Sequence, residues 1–147
     1  MDIESARNAP ETNDKNEVNN QDRQRQKRQV EKIVLKIGGS FGGYTTYYFI
    51  FTTDGAELSQ THGVGGNSQI SKKVYSVREA ASLRERFEAI HTDSWNSDYP
   101  NPWVCDGEQW SLIVCYSDGF SKSSSGSNAY PDNWNEILGF FGIDHEG

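Results

Sequence analysis

Tyr48-Phe49-Ile50-Phe51-Thr52-Thr53-Asp54-Gly55-Ala56 is an apolar, β-prone run that enters an Asp-Gly pair. Leu112-Ile113-Val114-Cys115-Tyr116-Ser117-Asp118-Gly119-Phe120 repeats the device 64 residues later. Asp-Gly between apolar runs is a strong hairpin signal, because both central residues of a type I′ turn need positive φ. A segment of helical character follows each copy, so the unit reads as strand, tight turn, strand, helix. The pattern predicts an α+β fold: an antiparallel sheet of about five strands with two helices on one face, in the form of a duplicated hairpin-helix unit. One detail resists the duplication. The 64-residue alignment maps the apolar set Leu112, Val114, Tyr116 onto Tyr48, Ile50, Thr52, yet Tyr47, Phe49 and Phe51 are equally fit for burial. A one-residue shift inverts the faces of a strand, so either the first hairpin is buried on both sides or the copies do not superimpose.

Upstream of the first hairpin, Ile33, Leu35 and Ile37 alternate with Lys32, Val34 and Lys36, the period of a strand with one buried face, and folded structure is expected from Val30. The glycine-rich stretch 38–43 is followed by another strand and not by a helix, which favours a hairpin turn over a phosphate loop. A two-residue Asp54-Gly55 turn sets Phe51 opposite Leu58. Downstream, Gly63-Val64-Gly65-Gly66-Asn67 is a second glycine-rich loop, and Ser76 with Glu79 has the spacing of a capping box, with Tyr75 and Ala80 as its hydrophobic staple. Ala80, Leu83, Phe87 and Ile90 then share one helical face, a stripe that reads as core. In the second unit Trp110, Leu112, Val114 and Tyr116 share one strand face, and serine-rich Ser121 to Ser127 suits an edge. Pro131 and Asp132 open a helix carrying Trp134, Ile137, Leu138 and Phe141, and Gly142 stops it.

A chain of 147 residues, 34% of them hydrophobic, suits a single domain over 30–147 with one modest core. Residues 1–29 hold no aromatic side chain and few apolar ones, so they read as a disordered polar tail with a basic cluster at Arg23, Arg25, Lys27 and Arg28. No apolar run suits a membrane span or a secretory signal, and the expected location is cytoplasmic. Cys105 and Cys115 are too few for a disulfide framework and lack a zinc spacing, so both read as reduced thiols, Cys115 as a small buried hydrophobe within its strand.

Charge divides the chain. Acidic and basic residues cancel within 1–29, whereas 88–147 holds one basic side chain, Lys122, against ten acidic ones. Periodicity is absent over 92–108, a long loop in which Asp93, Asp98, Asp106 and Glu108 alternate with Trp95, Tyr99 and Trp103. These seven are the candidate binding residues, because carboxylates draw a basic partner from a distance while aromatics anchor interfaces. Against that stands the plainer role of large aromatics: Trp95 and Trp103 packed over the second hairpin. The carboxylate spacing does not match an EF-hand, and no metal or cofactor is assigned. Asp106 and Glu108 flank Gly107 and are the best pair for general acid/base chemistry, but a catalytic pair needs a cleft that separates their pKa values. His62, His91 and His145 lack an evident nucleophile, and no Gly-x-Ser-x-Gly elbow is present.

Phosphate contacts need Lys and Arg, so nucleic acid is disfavoured for the acidic half. The reading is a non-enzymatic protein-binding module of the inhibitor or immunity type for a basic partner, its site beside the second hairpin. A small hydrolase using Asp106 and Glu108 on a glycan-like substrate, and a structural domain tethered by its N-terminal tail, are the alternatives.

Asp106-Gly107-Glu108-Gln109-Trp110-Ser111-Leu112, then Tyr116-Ser117-Asp118-Gly119, then Gly126-Ser127-Asn128-Ala129-Tyr130-Pro131 resembles a C-terminal pattern of small uncharacterised bacterial proteins. The resemblance covers about a third of the chain. It implies a bacterial or phage-like origin and the hairpin-helix arrangement, and it brings no activity or site residues.

Overall fold

The computed structural model describes residues 28–39, 42–63, 68–101, 103 and 107–143. Most of the polar tail, residues 1–27, lies outside them, as do Cys105, Asp106 and His145. The elements are β1 (Val30–Gly39), β2 (Gly43–Thr52), β3 (Gly55–Gly63), β4 (Ser68–Tyr75), α1 (Val77–Ile90), a 3-10 turn (Thr92–Ser94), β5 (Asp98–Tyr99), β6 (Gln109–Tyr116), β7 (Ser121–Ser127) and α2 (Trp134–Phe141).

The fold is α+β, with a seven-stranded sheet ordered β4-β3-β2-β1-β6-β7-β5. Every pairing is antiparallel except β5 with β7, which makes the sheet mixed and larger than the expected five strands. Strand β4 is a polar edge strand whose Lys72 and Lys73 give little apolar alternation, and lysine there discourages pairing with a further chain. Strand β5 has two residues, too few to show a period. It pairs with Ser125 and Gly126, so β7 is not the outermost strand there.

Register settles which face of the first hairpin is buried. Ile33 lies opposite Phe49 in β2 and Val114 in β6, and Leu35 lies opposite Tyr47 and Leu112. Phe49, Ile33, Leu35, Leu112 and Val114 are all buried, whereas Ile50 is exposed. Phe49 therefore takes the place in the sheet that Val114 takes, an offset of 65 residues and not 64. The copies do not superimpose, and the one-residue difference is absorbed by the turns.

Neither turn is type I′, because Asn128 and His91 are the only non-glycine residues with positive φ among those described. In the first, Thr52 pairs with Gly55 around Thr53-Asp54, so Phe51 faces Ala56, and Leu58 faces Phe49. In the second, Gly119 N–H donates to Tyr116 O (3.0 Å) and Tyr116 N–H to Phe120 O (2.8 Å), a three-residue loop closed by a glycine bulge. Gly55 has φ 138°, and a Cβ there would run into the Tyr75 carbonyl oxygen. Gly55→Ala is expected to cost at least about 1–3 kcal/mol from backbone strain, read as a lower urea midpoint. An unchanged midpoint would contradict this turn geometry.

Both helices pack on the Ile33–Phe49–Val114 face and share one core with it. The capping box at α1 is formed: Glu79 N–H donates to Ser76 Oγ (3.1 Å) and Ser76 N–H to Glu79 Oε1 (2.9 Å). Ala80, Phe87 and Ile90 are buried, and His91 ends the helix at φ 60°. Helix α2 starts later than its Pro131-Asp132 signal, at Trp134, whose N–H donates to Pro131 O (3.1 Å). Gly142 terminates it at φ 72°. Phe140 bridges the layers, its ring 5.2 Å from Phe49 and 5.4 Å from Phe87. The opposite face of the sheet has no buried side chain among those described, and Cys115 lies there against Lys32 and Ser121, half-buried and outside the core. No described helix is long and apolar enough to cross a membrane.

Candidate functional site

The loop 92–108 does not gather its carboxylates into one place. Trp95 is buried, with its ring 5.9 Å from Trp110 and Nε1–H donating to Asn133 Oδ1 (2.9 Å). Asn133 in turn donates from Nδ2 to Ile90 O (2.8 Å), which ties the end of α1 to the start of α2. Lys122 donates to Trp95 O (2.7 Å), so the one cation of the acidic half serves as a loop anchor. Tyr99 is half-buried 5.8 Å from Trp110, and its hydroxyl accepts Asn96 N–H (2.9 Å). Asp98 is exposed beside it, and Trp103 is 90% exposed. Of the two tryptophans, only Trp95 serves packing.

Glu108 has a structural task at the opposite end of β6. Its Oε1 accepts Tyr130 O–H (2.7 Å), and its backbone N–H donates to Asn128 Oδ1 (3.1 Å). Asn128 holds φ 51°, and Trp110 Nε1–H donates to Ala129 O (2.8 Å). The Gly-x-Asn-x-Tyr-Pro stretch thereby locks Trp110 between Tyr130 and Trp134. No described second carboxylate joins Glu108, since Asp106 is outside the described residues. Among the described residues, no three His, Cys, Asp or Glu side chains are placed to hold a metal ion.

Burial, then the hydrogen bond to Glu108, raises the Tyr130 hydroxyl well above its ordinary value of 10.0. Burial raises Tyr47 in the same direction. A folded value above the unfolded one means the neutral hydroxyl's stabilisation is complete below about pH 10 and is lost as pH rises past it. Stability is expected to fall above about pH 10, with a shallower fall in Tyr130→Phe. A phenolate absorbance titration in which every tyrosine of the folded chain ionised at its ordinary value would contradict this.

Asp93 faces a different neighbourhood. The end of α1, the 3-10 turn and the β6–β7 hairpin enclose a cleft of about 490 Å³ lined by Arg28, Val30, Phe87, Glu88, His91, Thr92, Asp93, Tyr116 and Phe120. Its geometry follows from the fold: β6 and β7 carry Tyr116 and Phe120 out to the turn, where their rings lie 5.7 Å apart. The left-handed His91 turns the chain so that Glu88 and Asp93 approach the same opening. Neither carboxylate has an ion pair among the described residues.

The segment leading into β1 supplies an occupant. Gln29 N–H donates to Ser117 Oγ (3.0 Å) and Ser117 N–H to Gln29 O (2.7 Å), which straps Arg28 over the hairpin. The Arg28 guanidinium stands 4.5 Å above the Phe120 ring and 5.8 Å from that of Tyr116, with Nε–H donating to Asp118 Oδ2 (2.7 Å). That hydrogen bond holds the Asp118 carboxyl below its ordinary value. Burial, with the charge of Asp93 behind it, raises the Tyr116 hydroxyl.

Sequence reasoning selected Asp93 and missed Arg28, Glu88, Tyr116, Asp118 and Phe120. The signal was present in the second hairpin itself, where Tyr116 and Phe120 flank Ser117-Asp118-Gly119 as aromatics around a carboxylate. Comparison with protein-family models, with curated proteins and with solved structures finds no match.

Proposed function

We propose that this chain is a non-enzymatic binding module for a basic protein segment, and that an arginine or lysine of the partner seats in the cleft between α1 and the second hairpin. The observation that carries this reading is Arg28, a guanidinium already held by a carboxylate and two aromatic faces at the mouth of the cleft. Aromatic faces and carboxylates are the two surfaces that recognise a planar cation. Beyond Arg28, the cleft offers the carboxylates of Glu88 and Asp93 to a second cation. Trp103 is exposed and does not line the cleft, so it is not part of this seat.

The test is a titration of the isotopically labelled full chain with a short arginine-glycine peptide, read from backbone amide shifts. Shifts concentrated at 88–93 and 116–120, weakened by salt, are the expected result. Arg28→Ala should tighten binding, because it removes the resident guanidinium. Shifts centred on 98–103, an equal response to a glutamate-glycine peptide, or no effect of Arg28→Ala would overturn the assignment.

A further inference from the structure

The open face of the sheet has a chemistry opposite to that of the helical side. Reading across one row, Glu57, Ile50, Lys32, Cys115 and Ser121 lie side by side, and the next row runs Ser59, Tyr48, Val34, Ile113, Ser123. Lys36 follows between Thr46 and Ser111, and Tyr44 lies at the end of β2. Lys72 completes the charged set from β4, paired with Glu57 (3.2 Å). Glu57 is the only acidic residue among these positions, so Lys32 and Lys36 have no carboxylate partner among the described residues. The acidic half contributes Gln109, Ser111, Ile113, Cys115 and serines to this face, with one carboxylate, Asp98, beside Ser125 at the far β5 edge.

We propose that this face binds single-stranded nucleic acid. Lys32 and Lys36 run along β1, while Tyr48 and Tyr44 run along neighbouring β2, with ammonium-to-ring distances of 5.9 and 4.5 Å. A line of cations beside a line of flat rings matches a polymer that alternates phosphates with bases, and stacking on aromatics with a basic track is how open sheets hold single strands. A folded acidic protein would satisfy the lysines and leave the rings without flat partners. A second copy of this chain, face to face, would set lysines against lysines. Lys32 and Lys36 are exposed and such surface cation–ring contacts are weak, so incoming bases can displace them. Hydroxyls along β7 and at Ser111 offer hydrogen bonds that do not select sequence.

Fluorescence anisotropy of a labelled oligothymidylate with the full chain tests the proposal. Binding at low salt is expected, falling with a log–log slope of roughly −2 for about three displaced counterions. Lys32→Glu with Lys36→Glu should weaken it by at least about tenfold, and Tyr44→Ala with Tyr48→Ala by about tenfold, while circular dichroism confirms that both variants fold. Absence of binding at low salt would overturn it. So would unchanged affinity in the lysine variant, which assigns binding to the basic residues of 23–28, equal affinity for a duplex of the same length, or equally effective displacement by polyglutamate.

Discussion

Replacing Trp110 by alanine is expected to lower stability by about 3–5 kcal/mol, the range for removing a large buried aromatic from a packed core. Trp110 is 3% exposed and touches Trp95, Tyr99, Tyr130 and Trp134, with ring centroids between 4.6 and 6.5 Å. The alanine variant loses that packing and also leaves the Ala129 carbonyl without its indole donor. No rotation of the neighbours refills the space, because Trp95 is tied to Asn133 and Tyr130 to Glu108. Trp103→Ala is the matched comparison: its side chain is 90% exposed, and the change is expected to stay within about 0.5 kcal/mol. Urea unfolding followed by far-ultraviolet circular dichroism measures both. A Trp110 effect no larger than that of Trp103 would contradict the aromatic lock.

This contrast shows what the sequence could and could not convey. Helix α1 was legible from its N-cap, because Ser76 and Glu79 act within four residues of each other and the Ala80–Phe87–Ile90 stripe has one period. The β6 face was legible for the same local reason. The first hairpin was not, because Tyr47, Tyr48, Phe49, Ile50 and Phe51 are apolar on both faces, and only pairing with Ile33 and Leu35 decides between them. The Asp-Gly signal overstated symmetry: glycine with positive φ is required at both turns, but one has two residues and the other three. Strand β4 escaped because an edge strand needs no apolar face, and β5 because its two residues take their pairing from β7.

The candidate site was legible only in part, for a related reason. Composition marked 92–108 as acidic and aromatic, but its members diverge: Trp95 turns inward, Glu108 closes on Tyr130, and Asp93 reaches the cleft. Glu88 lies off the apolar stripe of its helix, and only the left-handed His91 brings the 3-10 turn beside it. Arg28 reads as the end of a basic cluster until Gln29 pairs with Ser117, 88 residues away. Periodicity and spacing report neighbours along the chain, whereas this cleft is assembled from three distant segments.

The second large effect is expected at that cleft. Glu88→Gln and Asp93→Asn keep side-chain size while removing both carboxylates that lack an ion partner, and Asp118 remains to hold Arg28. A cation entering the cleft would then meet aromatic faces without charge, and each lost contact between opposite charges near a surface weakens binding. The fold should be unaffected, since neither side chain contributes to the buried core. The most direct measurement is calorimetric titration of the arginine-glycine peptide into the full chain and into the Glu88→Gln/Asp93→Asn variant. An affinity lower by about tenfold or more in the variant is the predicted result, and equal affinities in the two proteins would contradict the assignment of this cleft as the seat for a basic partner.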